Sequence, residues 1–227
     1  MSPCSTVKKQ ISLRKFKVNP FPGFFIDIEG LDGSGQSTQI QLLKKVLDLK
    51  GINYLLTKEP NEDCYLGKEI RQILKKEKKV ENPLKLQEMF VDNRKDHLKR
   101  VIIPELKKDG LVIIDRYLWS TVAYGSLGID PQQTLKMNRD FILPDMTFFI
   151  KTSPQECMRR MKASRSSLEY FEELDKLKKV YETYLNLSKR FKDNITVISG
   201  EDKEEKIAEK ILNFLSRHPK FQRLTAF

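Results

Sequence analysis

The densest chemistry in this chain lies in Gly30-Leu31-Asp32-Gly33-Ser34-Gly35-Gln36-Ser37. The run matches the phosphate-binding pattern GxxxxGK[ST] at every defined position except the lysine, where Gln36 stands. Three glycines let backbone N–H groups converge on phosphate oxygens, and a helix starting there aims the positive end of its dipole at the same anion. Gly30, Gly33, Ser34, Gly35, Gln36, Ser37 and Thr38 are therefore expected to bind the phosphates of a donor nucleotide, with the Ser37 hydroxyl as a magnesium ligand. A Gly-rich turn without a ligand is the plainer alternative, and the apolar run before it and the helical stretch after it argue against that. A glutamine amide donates hydrogen bonds but cannot neutralise the charge that builds on a transferred phosphoryl group. The substitution thus bears on transfer more than on binding.

A second group sits where an apolar run ends. Leu111-Val112-Ile113-Ile114 is followed by Asp115, Arg116 and Tyr117, so a carboxylate and a guanidinium emerge together from a strand. Ligands of open parallel sheets collect at the carboxyl ends of the strands, which puts Asp115 beside the phosphate loop as support for magnesium. An aspartate there also serves as a strand-end cap, and the residues alone leave both readings open.

These groups need a frame. Five short apolar runs, FFIDI (24–28), NYLLT (53–57), LVIID (111–115), MTFFI (146–150) and ITVIS (195–199), alternate with longer amphipathic stretches. Such runs, separated by helical segments, are the pattern of parallel strands covered on both faces. Helix punctuation agrees: Gly51 closes one segment, and Ser153, Pro154 and Glu156 supply an N-cap, an N1 proline and an N3 acid for another. Helical periodicity is also continuous over 84–108 and 169–191. The expected architecture is α/β: one P-loop, doubly wound, five-stranded parallel sheet with helices on both faces and a short lid, over residues 23–216. A basic flexible tail is expected at 1–22 and a second tail at 217–227.

The chain has 227 residues, 39% apolar and 32% charged, which suits one sizeable core rather than two full domains. There is no run near the roughly 20 apolar residues of a membrane helix and no apolar leader. The three cysteines (Cys4, Cys64, Cys157) form no CxxC pair, and the two histidines (His97, His218) are given no role. A soluble cytoplasmic protein without a disulfide framework or zinc site is expected. The formal net charge is +11, and five positive charges with no acid fall in the first 20 residues. That tail reads as solvated chain rather than as a nucleic-acid contact.

Taken together, the sequence resembles the thymidylate kinase family, P-loop nucleoside monophosphate kinases that phosphorylate dTMP with ATP and magnesium. The resemblance is carried, in order, by IEGLDGSGQSTQ (28–39), TKEP (57–60), LGKEIRQIL (66–74), MFVDNRKDH (89–97), DRYLWSTVAYG (115–125), LPDMTFFI (143–150) and ECMRRMKASR (156–165). It implies that thymine stacks on Phe90 and that the Arg94 guanidinium reaches a base carbonyl. Four residues apart, the two share a helix face, although without the resemblance such a pair reads as core plus solvated charge. The resemblance further implies that Asp32 faces the sugar 3′-hydroxyl and the metal region, that Arg116 holds the acceptor phosphate, and that Tyr124 crowds the ribose 2′ position. Thr121 would stand near the base, and Lys58, Glu59 and Pro60 would belong to the acceptor site. A homodimer is implied as well.

The departures from the family pattern concern charge. Lys58 replaces a frequent arginine, keeping charge while losing the planar fork. Glu169-Tyr170 stands where the lid often has an Asp-Arg pair. With glycine at the variable loop position, the family pattern assigns the transition-state charge to a lid arginine, expected to be Arg165. Arg159 and Arg160 remain either lid cations or the solvated end of a helix. The expected catalytic set is Asp32, Gln36, Arg116 and Arg165, and the expected metal set Ser37 and Asp115. The alternatives are a kinase for another nucleoside monophosphate and, because of Gln36, a non-catalytic nucleotide-binding relative.

Overall fold

The computed structural model of the chain describes residues 16–164 and 169–225. Each apolar run forms a strand: β1 (Phe24–Gly30), β2 (Tyr54–Lys58), β3 (Leu111–Asp115), β4 (Met146–Lys151) and β5 (Ile195–Ser199). Neighbouring strands are parallel, in the order β2-β3-β1-β4-β5. The chain winds from β1 to one edge and then to the other, so a crevice opens at the carboxyl ends of the central strands. Register places Asp115 level with both Ile28 and Lys58.

Alternation along β1 feeds two cores. Phe24, Ile26 and Ile28 pack with Ile40, Leu43, Phe148 and Ile211 beneath α1 (Gln36–Leu49) and α9 (Glu204–Leu215). Phe25 belongs to the opposite face, with Ile114, Tyr117, Trp119, Phe149 and Tyr184, beneath α5 (Leu118–Gly125), α7 (Pro154–Ser164) and α8 (Leu174–Arg190). A smaller cluster of Ile70, Ile73, Leu86 and Met89 joins α2 (Tyr65–Leu74) to α3 (Pro83–His97). Next to these lie α4 (Ile103–Lys107) and α6 (Pro131–Asn138).

Three segments differ from the sequence reading. The periodic stretch 84–108 is α3, a π-helical turn at Leu98–Ile102, and then α4 with Pro104 in its first turn. Proline supplies no N–H to an α ladder, and a π turn is one way of carrying the chain past it. The stretch 169–191 becomes helical only at Leu174, because residues 169–173 turn toward α2. Residues 217–227, expected as a tail, contain α10 (Pro219–Thr225), whose Phe221 is buried with its ring 5.8 Å from that of Phe24.

At the other end, Phe16 is buried 5.8 Å from the Trp119 ring and Lys17 bridges Ile142, so packing begins ahead of residue 23. The rest of the expected N-terminal tail, residues 1–15, lies outside the described residues. No helix among the described residues is long and apolar enough to cross a membrane.

Candidate active site

The phosphate loop joins the end of β1 to the start of α1. Gly33 (φ +79°) and Gly35 (φ +96°) occupy the left-handed region that glycine favours. At Gly33 a Cβ would stand 2.6 Å from the Cys157 carbonyl oxygen, so only glycine lets the loop press onto α7. Gly35 caps α1 without a side chain, and the first-turn amides of Gln36, Ser37 and Thr38 have no intrahelical acceptor. The Ser34 hydroxyl is buried without a partner in this loop. Open backbone amides and an orphaned hydroxyl donor fit a phosphate group.

Gln36 does not face that space with its donors. Its Nε2 donates to the Ile28 carbonyl at 2.6 Å and to Asp115 Oδ1 at 2.7 Å, which uses both hydrogens. Flipping the amide would set Oε1 against the same two acceptors, so this orientation is the one assigned. The side chain therefore ties β1 to β3, and its buried Oε1 has no partner. Burial raises the Asp115 pKa, with Arg116 opposing and Asp32 adding to the rise.

On one side of the loop stands Arg160 of α7. Its Nη1 donates to the Ser34 carbonyl at 3.2 Å, its Nη2 to the Gly200 carbonyl at 3.1 Å and its Nε to Glu156 Oε1 at 2.8 Å. Hydrogen bonds from Arg159 and then Arg160 pull the Glu156 carboxyl down to about 2. Arg159 is the solvated partner, 70% exposed. Arg165 lies outside the described residues.

At the other side of the loop Arg116, in the left-handed region at φ 68°, donates from Nη1 to the Gly30 carbonyl at 2.7 Å and from Nη2 to Asp32 Oδ1 at 2.8 Å. Non-glycine residues hold such φ values at a cost and cluster at functional sites. Tyr124 donates to Asp32 Oδ2 at 2.8 Å, and burial pushes its phenol well above the usual range, so it stays a donor. Asp32 thus forms one hydrogen-bonded unit with Arg116 and Tyr124, which follow it 84 and 92 residues later in the sequence. Lys58 lies at the rim, 62% exposed, paired with Glu62 at 2.6 Å.

Arg94 extends from α3 beside Phe90 and is buried. Its Nε and Nη2 donate to Glu59 Oε2 at 2.8 and 2.6 Å, Nη2 also to Thr121 Oγ1 at 2.7 Å, and Nη1 to Asn138 Oδ1. Glu59, expected at the acceptor site, braces the arginine and is carried on the cis Glu59–Pro60 bond after β2.

Sequence reasoning missed several contributors. Glu29 is fully buried and accepts from the amides of Tyr117 and Ser120 and from the hydroxyls of Ser120 and Tyr184, anchoring the start of α5. Arg71 of α2 grips Glu169 through two hydrogen bonds at 2.8 and 3.1 Å, and the Phe171 ring lies 5.1 Å from that of Tyr124. His97, given no role, is fully buried behind Glu59. Its one sequence signal is the 90, 94, 97 spacing on a single helix face.

A single cleft of about 940 Å³ runs from the phosphate loop to Phe90 and Arg94. Among the described residues, every expected site residue lines it except Gly30, whose carbonyl Arg116 holds. One end offers amides and a guanidinium to phosphates. The other offers an aromatic face and a buried arginine to a planar group.

Comparison with known proteins agrees with that geometry. The thymidylate kinase family model matches residues 28–211. A probable thymidylate kinase of Pyrococcus abyssi is 33% identical over 84% of this chain and 94% of its own. Thymidylate kinases of Kosmotoga olearia and of an Exiguobacterium species are 35% and 31% identical, over 83% and 85% of this chain and 93% of each of theirs. With its phosphate loop, its Asp-Arg-Tyr strand end and its Phe90–Arg94 pair in one cleft, the chain belongs to the thymidylate kinase family.

Proposed function

We propose that the protein transfers the γ-phosphoryl group of ATP to the 5′-phosphate of dTMP, giving dTDP and ADP. The observation that carries this reading is the one continuous cleft with a phosphate cradle at one end and Phe90 with Arg94 at the other. An acceptor phosphate oxygen forms the new bond to the γ-phosphorus as the bond to the β–γ bridging oxygen breaks, so the acceptor needs no general base. Catalysis is then positioning and electrostatics.

The amides at the start of α1 and the Ser34 hydroxyl hold the donor phosphates, and Arg160 sets positive charge against the loop. Arg116, oriented by Asp32 and Gly30, holds the acceptor phosphate, with Lys58 available at the rim. Magnesium, where bound, would be held by Ser37 and Asp115 together with substrate oxygens and would supply charge neutralisation. Tyr124, its hydroxyl held by Asp32, crowds the ribose 2′ position in the family pattern, which favours a deoxynucleotide. Thymine stacks on Phe90, and Arg94 donates to a base carbonyl. A cytoplasmic homodimer follows the family resemblance, and sedimentation of the purified protein tests the dimer.

The deciding experiment is ADP formation from MgATP with dTMP, dUMP, UMP, dCMP and AMP, with Arg94→Ala as a control for contaminating kinases. Turnover selective for dTMP and lost in the control is expected. Calorimetric binding of ATP or dTMP without turnover for any acceptor would overturn the reading in favour of a non-catalytic binder.

A further inference from the structure

A guanidinium has five N–H donors, and the protein itself takes four of those on Arg94. Nε–H and one Nη2–H go to Glu59 Oε2, the second Nη2–H to Thr121 Oγ1, and one Nη1–H to Asn138 Oδ1. One Nη1–H is left for a ligand. The acceptors are themselves held from behind. Glu59 Oε1 faces His97 Nδ1 at 3.4 Å, and Thr57 Oγ1 lies 2.8 Å from His97 Nε2. Asn138 Nδ2 donates to the Thr134 carbonyl at 2.8 Å. A ring hydrogen on Nδ1 completes this network by donating to Glu59, with Nε2 paired to the Thr57 hydroxyl. His97 and Asn138 are both 0% exposed and neither lines the cleft.

We propose that His97 and Asn138 are positioning residues that determine how the acceptor base is read. His97 fixes Glu59, Glu59 and Asn138 clamp the Arg94 fork from two sides, and the fork keeps a single unfilled N–H for the base. A lone, rigid donor suits a base carbonyl and opposes an amino group, whereas a loosened fork could turn other hydrogens, or an unfilled position, toward either. This rests on the reading of Arg94 as the base-reading residue.

The test uses the full chain with His97→Asn, His97→Gln, Asn138→Leu and Arg94→Ala, each checked by thermal melting. The readouts are calorimetric dTMP affinity, separate KM values for dTMP and MgATP, kcat, and the dTMP:dCMP ratio of kcat/KM. Asparagine carries its amide nitrogen near the place of Nδ1 and should retain most of the dTMP affinity. Glutamine extends toward the place of Nε2 and should not. His97→Gln and Asn138→Leu are expected to weaken dTMP by roughly 10- to 100-fold, the usual range for hydrogen bonds to charged groups, and to lower the dTMP:dCMP ratio. KM for MgATP and kcat should stay within about twofold, because the clamp touches only the acceptor end.

Equal behaviour of His97→Asn and His97→Gln, or wild-type dTMP affinity in Asn138→Leu, would overturn the proposal, provided Arg94→Ala abolishes dTMP binding. If Arg94→Ala itself binds dTMP normally, the reading of the acceptor end fails and the positioning roles fail with it.

Discussion

Asp27 offers a demanding test of the physical reasoning, because two carboxyls on the same face of β1 meet opposite fates. Glu29 is buried but receives four hydrogen bonds, and burial still raises its pKa. Asp27, two residues earlier and equally buried, has one long contact from Thr147 Oγ1 at 3.3 Å, and its Oδ1 has no partner. Burial, reinforced by the Glu29 charge, raises its pKa well above the ordinary value.

The unfolded chain releases this proton near pH 4, whereas the folded chain keeps it. Between the unfolded and the raised folded pKa, folding therefore takes up a proton, and each added pH unit in that window costs stability. An unsatisfied buried polar group by itself costs about 1–3 kcal/mol. Asp27→Val removes both penalties at nearly constant volume, and Asp27→Asn removes the titration alone.

At about 2–4 °C per kcal/mol for a chain of this size, the valine variant should melt roughly 2–12 °C above wild type near neutral pH. Its advantage should shrink as pH falls toward 4, where the wild-type carboxyl begins to take up its proton in the unfolded state as well. Differential scanning fluorimetry of wild type and both variants from pH 4 to 8 measures this. A valine variant no more stable than wild type at pH 7, or a gap independent of pH, would refute the assignment of Asp27 as an unpaired, proton-retaining acid. Glu29→Gln is the counterpart, expected to lower the melting temperature because its carboxylate has a full set of donors.

Arg160→Met should raise KM for MgATP by roughly 10- to 100-fold through loss of a charged hydrogen-bonding group at the loop, leaving calorimetric dTMP affinity within about twofold; an unchanged KM for MgATP would remove Arg160 from the donor site. Gln36→Lys should alter kcat by less than about tenfold if charge is already supplied from α7, whereas a gain on the order of a thousandfold would show that the natural loop lacks its transition-state cation. Burial pushes the Cys157 thiol up to about 12, so at pH 8 only about one molecule in ten thousand carries the thiolate. Peptide mapping after brief iodoacetamide treatment should find Cys64 alkylated and Cys157 intact, and rapid modification of Cys157 in folded protein would contradict its burial.

The five strands were readable because a parallel strand buried on both faces is a contiguous apolar run, and observed boundaries lie within one or two residues of those runs. The phosphate loop was equally local, since φ-positive glycines between a strand and a helix are written in consecutive residues. A helix period puts Phe90 and Arg94 on one face, but their role at the base came from the family resemblance. Even the absence of the loop lysine was visible from one letter.

What Gln36 does with its amide was not visible. Its two acceptors, Ile28 and Asp115, are brought together by the register of β1 against β3, a nonlocal fact. The same holds for Arg160, whose guanidinium meets Ser34 only because α7 packs across the loop, and for Glu59, whose bracing of Arg94 depends on how the end of β2 meets α3. His97 was given no role because a lone histidine carries no signal of its burial, which depends on β2 passing behind α3. The C-terminal residues read as a tail because α10 is short and becomes a helix against Phe24, not by its own propensity. Sequence by itself determined the class of fold and the phosphate loop, since each is encoded by residues within a helical turn or a strand of one another, and the order of its motifs carried the resemblance that implied the acceptor end. Tertiary structure decided which charge faces which, because hydrogen-bond partners tens of residues apart are chosen by packing and register, and neither is a property of any local stretch of chain.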